Sequence, residues 1–239
     1  MQVIKFKVEG ILNSFRVPFF RTYHKTFLAP PKTTIIGMIA NIMKKSEQWY
    51  YDTLKNDIFE VSVVIDKIEG KTKDLWGYKN LKTGNRGRSV VRRDKLYKSV
   101  YTIYLKINKN NTENKNINNE ILDALKNPKS VPALGLDDEI VRIYNIEKLD
   151  LKKSKHNIIN SVFIGDGIDY SVKIDGDEDI QLPTSNISPL KYSVDVKNGT
   201  RTKREIIKEG NQVEYINCKV EIKSDMDIYE DGFNKVVFY

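Results

Sequence analysis

The chain has 239 residues, 40% of them hydrophobic and 30% charged, which is long enough for one large domain or two small ones and too apolar for general disorder. No apolar run approaches the roughly 18 residues that a bilayer span needs. The start, Met1-Gln2-Val3-Ile4-Lys5-Phe6-Lys7, alternates apolar and basic residues instead of forming a signal peptide's unbroken apolar stretch, so a cytoplasmic location without a membrane partner is expected. A single cysteine, Cys218, and two histidines exclude an internal disulfide and a His/Cys zinc site. Cys218 lies in an alternating stretch and reads as a small strand residue.

In chain order, residues 3–8 predict a half-buried strand with Ile4, Phe6 and Val8 on one face and Lys5 and Lys7 on the other. Pro30 and Pro31 stop extended structure. Thr33 or Thr34 is expected to cap a helix running to about residue 45, with Ile35, Ile36, Met38, Ile39, Ile42 and Met43 at helical spacing. A short helix follows over 47–54, and Phe59, Val61, Val63 and Ile65 alternate as a second strand.

Residues 71–98 hold ten cations against Asp74 and Asp94, a net charge of +8, while the rest of the chain is neutral. The whole excess therefore sits in this one segment. Four of the nine arginines, Arg86, Arg88, Arg92 and Arg93, fall in it, and a lysine-favouring genome does not account for an arginine cluster. Guanidinium groups fork onto phosphates and stack on bases. Trp76, Tyr78 and Tyr97 add stacking surfaces, and Gly77, Gly84 and Gly87 add backbone freedom. Such a strip suits single-stranded RNA, since it repels itself until a polyanion neutralises it. The plainer alternative is a solvated surface hairpin.

Beyond the strip, Tyr101, Ile103, Leu105 and Ile107 predict a third strand. Residues 108–119, with seven asparagines, predict a loop, 117–126 a helix and 139–147 a fourth strand. Strand, helix, strand, strand, helix, strand is the ferredoxin-like order of RNA-recognition domains, with the basic segment between the second and third strands. From about residue 152 the chain reads as β-rich. A hairpin loop is expected over 209–212, joining strands at 203–208 and 213–220.

Lys32, Thr33 and Thr34 stand where free backbone N–H groups at a helix N-terminus favour phosphate, with simple capping as the alternative. Gly37, inside a helix, suggests the close approach of another backbone. Tyr23, His24 and Lys25 are the residue types of a metal-free ribonuclease, although neighbours on an extended chain point opposite ways. His156 reads as solvated. The acidic groups at 166–169 and 175–179 lack the ligand spacing of a calcium loop and read as turns. No metal or cofactor is expected.

The stretch Ser14-Phe15-Arg16, through Phe27-Leu28-Ala29-Pro30-Pro31 to Lys32-Thr33-Thr34-Ile35-Ile36-Gly37-Met38-Ile39-Ala40, resembles the N-terminal signature of the Cas-five family of the RAMP superfamily. Pro132-Ala133-Leu134-Gly135 resembles a second landmark of that family, and the basic segment takes the place of its thumb. The resemblance covers residues 1–150 and is nearest to the type I-B and I-A variants. Relatives often carry a basic residue after the Leu-Gly pair, where this chain has Leu136.

The resemblance implies an α+β chain: a ferredoxin-like, RRM-like RAMP domain over 1–150 with a thumb at about 70–99, then a β-rich part over 151–239. It implies a non-catalytic subunit of a type I (Cascade) effector that caps the 5′ handle of CRISPR RNA in antiviral defence. Its partners would be the backbone subunit, the large subunit and, within the complex, target DNA. The RNA contacts expected are Arg16, Arg21, Lys32, Thr33, Thr34, Gly37, Trp76, Tyr78, Arg86, Arg88, Arg92, Arg93, Lys95 and Tyr97. The alternative is a metal-independent endoribonuclease that processes repeat RNA with Tyr23, His24 and Lys25.

Overall fold

The computed structural model describes residues 1–18, 20, 23–80, 87–108, 116–173, 183–197, 200–206 and 211–239. Its N-terminal elements are β1 (Gln2–Asn13), β2 (Tyr23–His24), α1 (Lys32–Met43), α2 (Glu47–Lys55), β3 (Phe59–Asn80), β4 (Gly87–Ile107), α3 (Ile117–Lys126) and β5 (Val141–Asp150).

Alternation in β1 buries Ile4, Phe6 and Val8 on one face. That face packs on Ile35, Ile36, Ile39 and Ile42 of α1 and on Ile121 and Leu125 of α3. Pro31, not Thr33 or Thr34, occupies the position ahead of α1, and no side chain caps the helix. Its φ of −62° already suits helix entry, and its carbonyl accepts from the N–H groups of Thr34 and Ile35 at 2.9 and 3.1 Å. Both threonines therefore lie inside the first turn. Lys44 at φ +54° ends α1. Ser46 caps α2, its hydroxyl accepting from the Trp49 N–H at 3.2 Å.

The main sheet has the order β5-β1-β4-β3, and all these neighbours are antiparallel. Its second face carries Val3, Val64 and Tyr104, covered by Leu151 and Val236 from the C-terminal part. There Asp231 accepts from the Tyr104 hydroxyl at 2.7 Å and pairs with Lys5 at 2.8 Å.

β3 and β4 outrun the sheet. The last β1–β4 pairing is Asn13↔Leu96, but β3 and β4 stay in register from Lys67↔Val100 to Asn80↔Gly87. The basic segment is thus a regular two-stranded ribbon in its described residues. Gly77 sits within the regular strand, and no positive φ occurs among the described residues beside it.

The C-terminal part holds β6 (Lys152–Lys153), β7 (Ile158–Ile159), β8 (Phe163–Ile164), β9 (Tyr170–Lys173), β10 (Thr184–Ser188), β11 (Tyr192–Lys197), β12 (Thr200–Ile206), β13 (Asn211–Tyr215), β14 (Lys219–Ile222), β15 (Tyr229–Glu230) and β16 (Lys235–Val236). The hairpin expected around 209–212 is not formed as read. β12 pairs with β11, and β13 with β10 and β8. Cys218 is buried in a bend between β13 and β14 and not in a strand. Asp166-Gly167 is a turn, with Gly167 at φ +69°, while 175–179 lie outside the described residues. Val162, Val213 and Tyr215 join the N-terminal core, and Tyr215 stacks on Phe27 at 5.4 Å. The two parts of the chain therefore share one apolar interior.

Candidate functional site

The segment between β1 and α1 is pinned by burial of Phe15, Val17, Phe27 and Leu28. Phe15 and Phe27 pair through the backbone at 2.8 Å, Val17 donates to the Lys25 carbonyl at 2.9 Å, and the Thr26 hydroxyl accepts from the Phe15 N–H at 2.8 Å. Alternation then turns Arg16 away from the core. β2 lies parallel to the ribbon edge, Tyr23 opposite Arg92 and His24 opposite Arg93.

These elements wall an open cleft of about 760 Å³. Arg16, His24 and Lys25 line it from the first segment, Thr33, Thr34, Gly37 and Asn41 from α1, Trp76 and Arg93 from the ribbon, and Ala133, Gly135 and Leu136 from the loop before β5. Residues far apart in sequence, such as Arg16 and Gly135, thus meet at one site.

Glu139 organises the floor. Its carboxylate, almost fully buried, accepts from Ser14 N–H at 2.7 Å, the Ser14 hydroxyl at 2.5 Å and Leu136 N–H at 3.0 Å, and faces the Lys95 ammonium at 3.3 Å. Gly135, at φ +120°, packs against it: a Cβ there would lie 2.0 Å from Glu139 Oε2 and 2.6 Å from the Ser14 carbonyl oxygen. The Leu-Gly landmark and the start of the N-terminal signature are therefore fastened to one carboxylate.

The ribbon has two distinct faces, set by its register. Toward the cleft stand Asp74, Trp76 and Tyr78 with Arg93 and Lys95. On the opposite face stand Lys71, Lys73 and Lys79 with Arg88 and Arg92, interrupted by the exposed Leu75 and Val90. Two guanidinium N–H groups of Arg93 converge on Asp74 Oδ2 at 3.2 and 2.5 Å. Arg92 lies 5.3 Å from the Tyr23 ring centre.

Two of the expected RNA contacts, Lys95 and Lys32, are ion-paired within the chain. Lys95 is spent on Glu139. Lys32 is buried, absent from the cleft lining, and its ammonium sits 3.6 Å from Asp57 on another side of α1. Burial pushes the Lys32 pKa down, against the pull of Asp57 and Glu60. Arg93 does line the cleft, but it is 6% exposed and two of its five N–H donors bond Asp74. Lys98 pairs with Glu69 at 3.1 Å. Arg21 and Arg86 lie outside the described residues. Tyr97 is exposed at the base of the ribbon, outside the cleft lining. Gly37 has only the Tyr50 ring near it, at 3.7 Å from a built Cβ, so no backbone approaches it.

His24 and Lys25 both line the cleft, whereas Tyr23 does not. Burial, then Arg16 and Arg93, lower the His24 pKa, which favours the neutral imidazole. Sequence reasoning missed Tyr50, Asn41, Tyr192, Asp74 and Glu139. Asp74 carried a signal, as one of only two acids in the basic segment. No cluster of metal-ligating side chains occurs among the described residues, and no helix there is long and apolar enough to cross a membrane.

Comparison with known proteins gives a family match over residues 3–204, to the family described as "CRISPR-associated protein (Cas_Cas5)". Curated proteins give no significant match. Among solved structures, a CRISPR protein from Archaeoglobus fulgidus is similar at TM-score 0.51 and 14% identity, over 99% of this chain and 98% of that one. A chain of a "CRISPR RNA-guided surveillance complex" is similar at TM-score 0.48 and 14% identity, over 92% and 91%. A third, a "Cas protein", matches at TM-score 0.39 and 16% identity over 58% of each chain.

Proposed function

The chain belongs to the CRISPR-associated protein (Cas_Cas5) family, and from that premise we propose that it is a non-catalytic, RNA-binding subunit of a type I CRISPR effector complex, holding the 5′ handle of CRISPR RNA. One observation carries the reading: the cleft unites Arg16, Lys25, Thr33, Thr34 and Gly37 of the signature segment and its flanks with Trp76 of the basic ribbon. Cations beside an open groove neutralise a sugar-phosphate backbone, and aromatic rings stack unpaired bases. The sheet order β5-β1-β4-β3 with α1 and α3 on one face supports a ferredoxin-like RAMP domain, with the ribbon as its thumb. Assembly with a backbone subunit, a large subunit and target DNA belongs to the same reading.

The test is binding of labelled CRISPR repeat RNA to the purified protein and to Arg16→Ala/Lys25→Ala. Both side chains lie at the cleft and neither is in the core. Binding weakened roughly tenfold or more, with unchanged circular dichroism, supports the reading. Undiminished binding of the handle sinks it.

A second reading has an observation of its own. His24 and Lys25 share the cleft, the surroundings of His24 favour its neutral form, and a neutral imidazole is competent as a general base. Incubating repeat RNA with the protein in EDTA separates the two. Intact RNA favours the binding subunit, and a discrete cut that disappears in His24→Ala makes this chain the processing endoribonuclease.

A further inference from the structure

We propose that Trp76 is a stacking platform for an unpaired RNA base, held in its working orientation by the Asp74–Arg93 pair packed against it. The inference rests on the RNA-binding reading above and adds to it the position that takes a base and the residues that position it.

Trp76 stands on the cleft face of the ribbon and is 46% exposed. A half-exposed indole on a two-stranded ribbon needs support if it is to keep one orientation, and three neighbours provide it. The Arg93 guanidinium lies 4.9 Å from the ring centre, a cation–π contact that covers one face of the indole. Arg93 is in turn fixed by its two hydrogen bonds to Asp74 Oδ2. His24 stands 6.5 Å away at 53°, and Tyr78 6.2 Å away at 41°. None of these rings lies parallel to the indole, so none occupies it as a stacking partner would.

Arg93 thereby acquires a role different from phosphate contact. It is buried at 6% exposure and its charge is paired with Asp74, which disfavours contact with a backbone phosphate. It instead immobilises the ring, with Asp74 as its counterion. Preorganising a ring before the ligand arrives removes the ordering cost from the binding step. Tyr78, two residues along the same strand and 41% exposed, extends the same face, so the platform runs outward along the ribbon. The ligand class that matches a supported, half-open indole within a cationic cleft is a flat, unpaired base on an anionic backbone.

The experiment uses Trp49→Phe, which leaves Trp76 as the single tryptophan of the chain. Trp49 is on α2, packed against Phe59, away from the cleft lining. The probes are single-stranded oligoadenylate and the same oligomer with abasic sugars, which keeps every phosphate and removes every base. Stacking predicts quenched Trp76 emission with oligoadenylate only, and roughly tenfold weaker binding of the abasic oligomer. Trp76→Ala abolishes that preference, and Trp76→Phe restores most of it. Asp74→Asn reduces the preference while leaving abasic binding equal or tighter, because one negative charge has gone; a loss of fold would weaken both. Equal binding of the two oligomers overturns the stacking proposal and leaves the phosphate-binding reading intact. No binding of either oligomer overturns both.

Discussion

The Lys95 ammonium lies 3.3 Å from Oε1 of Glu139, with both side chains almost fully buried. This pair joins the base of the ribbon to the loop that floors the cleft. A buried carboxylate is tolerated only when its lone pairs are satisfied, and here Ser14 and Leu136 supply three further donors. Removing Lys95 leaves a buried anion short of its counterion. Lys95→Met is therefore expected to cost about 3–5 kcal/mol, measured by urea denaturation. A cost below about 1 kcal/mol would show that the pair is incidental to the fold.

Two glycines of the family signature separate under the same assay. Gly135→Ala places a Cβ 2.0 Å from Glu139 Oε2 at φ +120°, so it should destabilise by about 2 kcal/mol or more, combining backbone strain with displacement of the carboxylate. Gly37→Ala meets nothing closer than the Tyr50 ring at 3.7 Å and gains helix propensity, for a stabilisation of about 1 kcal/mol. Opposite signs are the expected outcome. Equal destabilisation would mean that Gly37 carries a constraint other than packing.

Periodicity made the sheet legible. Ile4, Phe6 and Val8, or Tyr101, Ile103 and Leu105, can alternate between core and the other face only as strands, and the helix over 117–126 is found at those residues. Charge counting located the ribbon but not its faces, because which cations are free depends on partners distant in sequence. Lys95 is neutralised by Glu139, 44 positions away, and Lys32 by Asp57. Neither acid is near its partner in a linear reading. Arg93 had its counterion within the same segment, but only the cross-strand register Asp74↔Arg93 brings the two together. The hairpin expected at 209–212 was misread because short β segments pair with whatever edge is near, and β13 finds β10 and β8.

Acid stability should depend on Asp231. Burial alone would raise its pKa, but the Asn234 N–H, Lys5, Tyr104 and the Phe233 N–H outweigh that and hold it at about 2, below the ordinary 3.8. A carboxylate with a depressed folded-state pKa contributes stability that is fully present above its unfolded pKa and lost as pH falls through the folded one. Its contribution therefore disappears between about pH 4 and pH 2. Asp231→Asn should be less stable than the parent at pH 7, with the gap narrowing across that window in thermal melts. A gap that stays constant down to pH 2 would mean that the side chain acts through packing alone.

The outer face of the ribbon offers the last test, because Arg93 and Lys95 of the inner face are ion-paired, whereas Arg92 of the outer face meets only the Tyr23 ring among the described residues. Among the described residues, no ion pair engages Arg88 or Arg92, and both are exposed. Each phosphate contact to a single strand adds roughly 0.7 to the slope of log K against log salt. Arg88→Ala/Arg92→Ala should therefore flatten the salt dependence of RNA binding by about 1.4, with little effect on stability. Arg93→Ala should do the reverse. It leaves Asp74 unpaired and the indole of Trp76 unsupported, so the ribbon loosens while the salt slope stays near that of the parent. Filter-binding titrations from low to moderate salt, run beside thermal melts, distinguish the two. If Arg93→Ala flattens the slope as much as the double variant does, Arg93 leaves Asp74 for a phosphate in the complex, and the division of labour between the two faces fails.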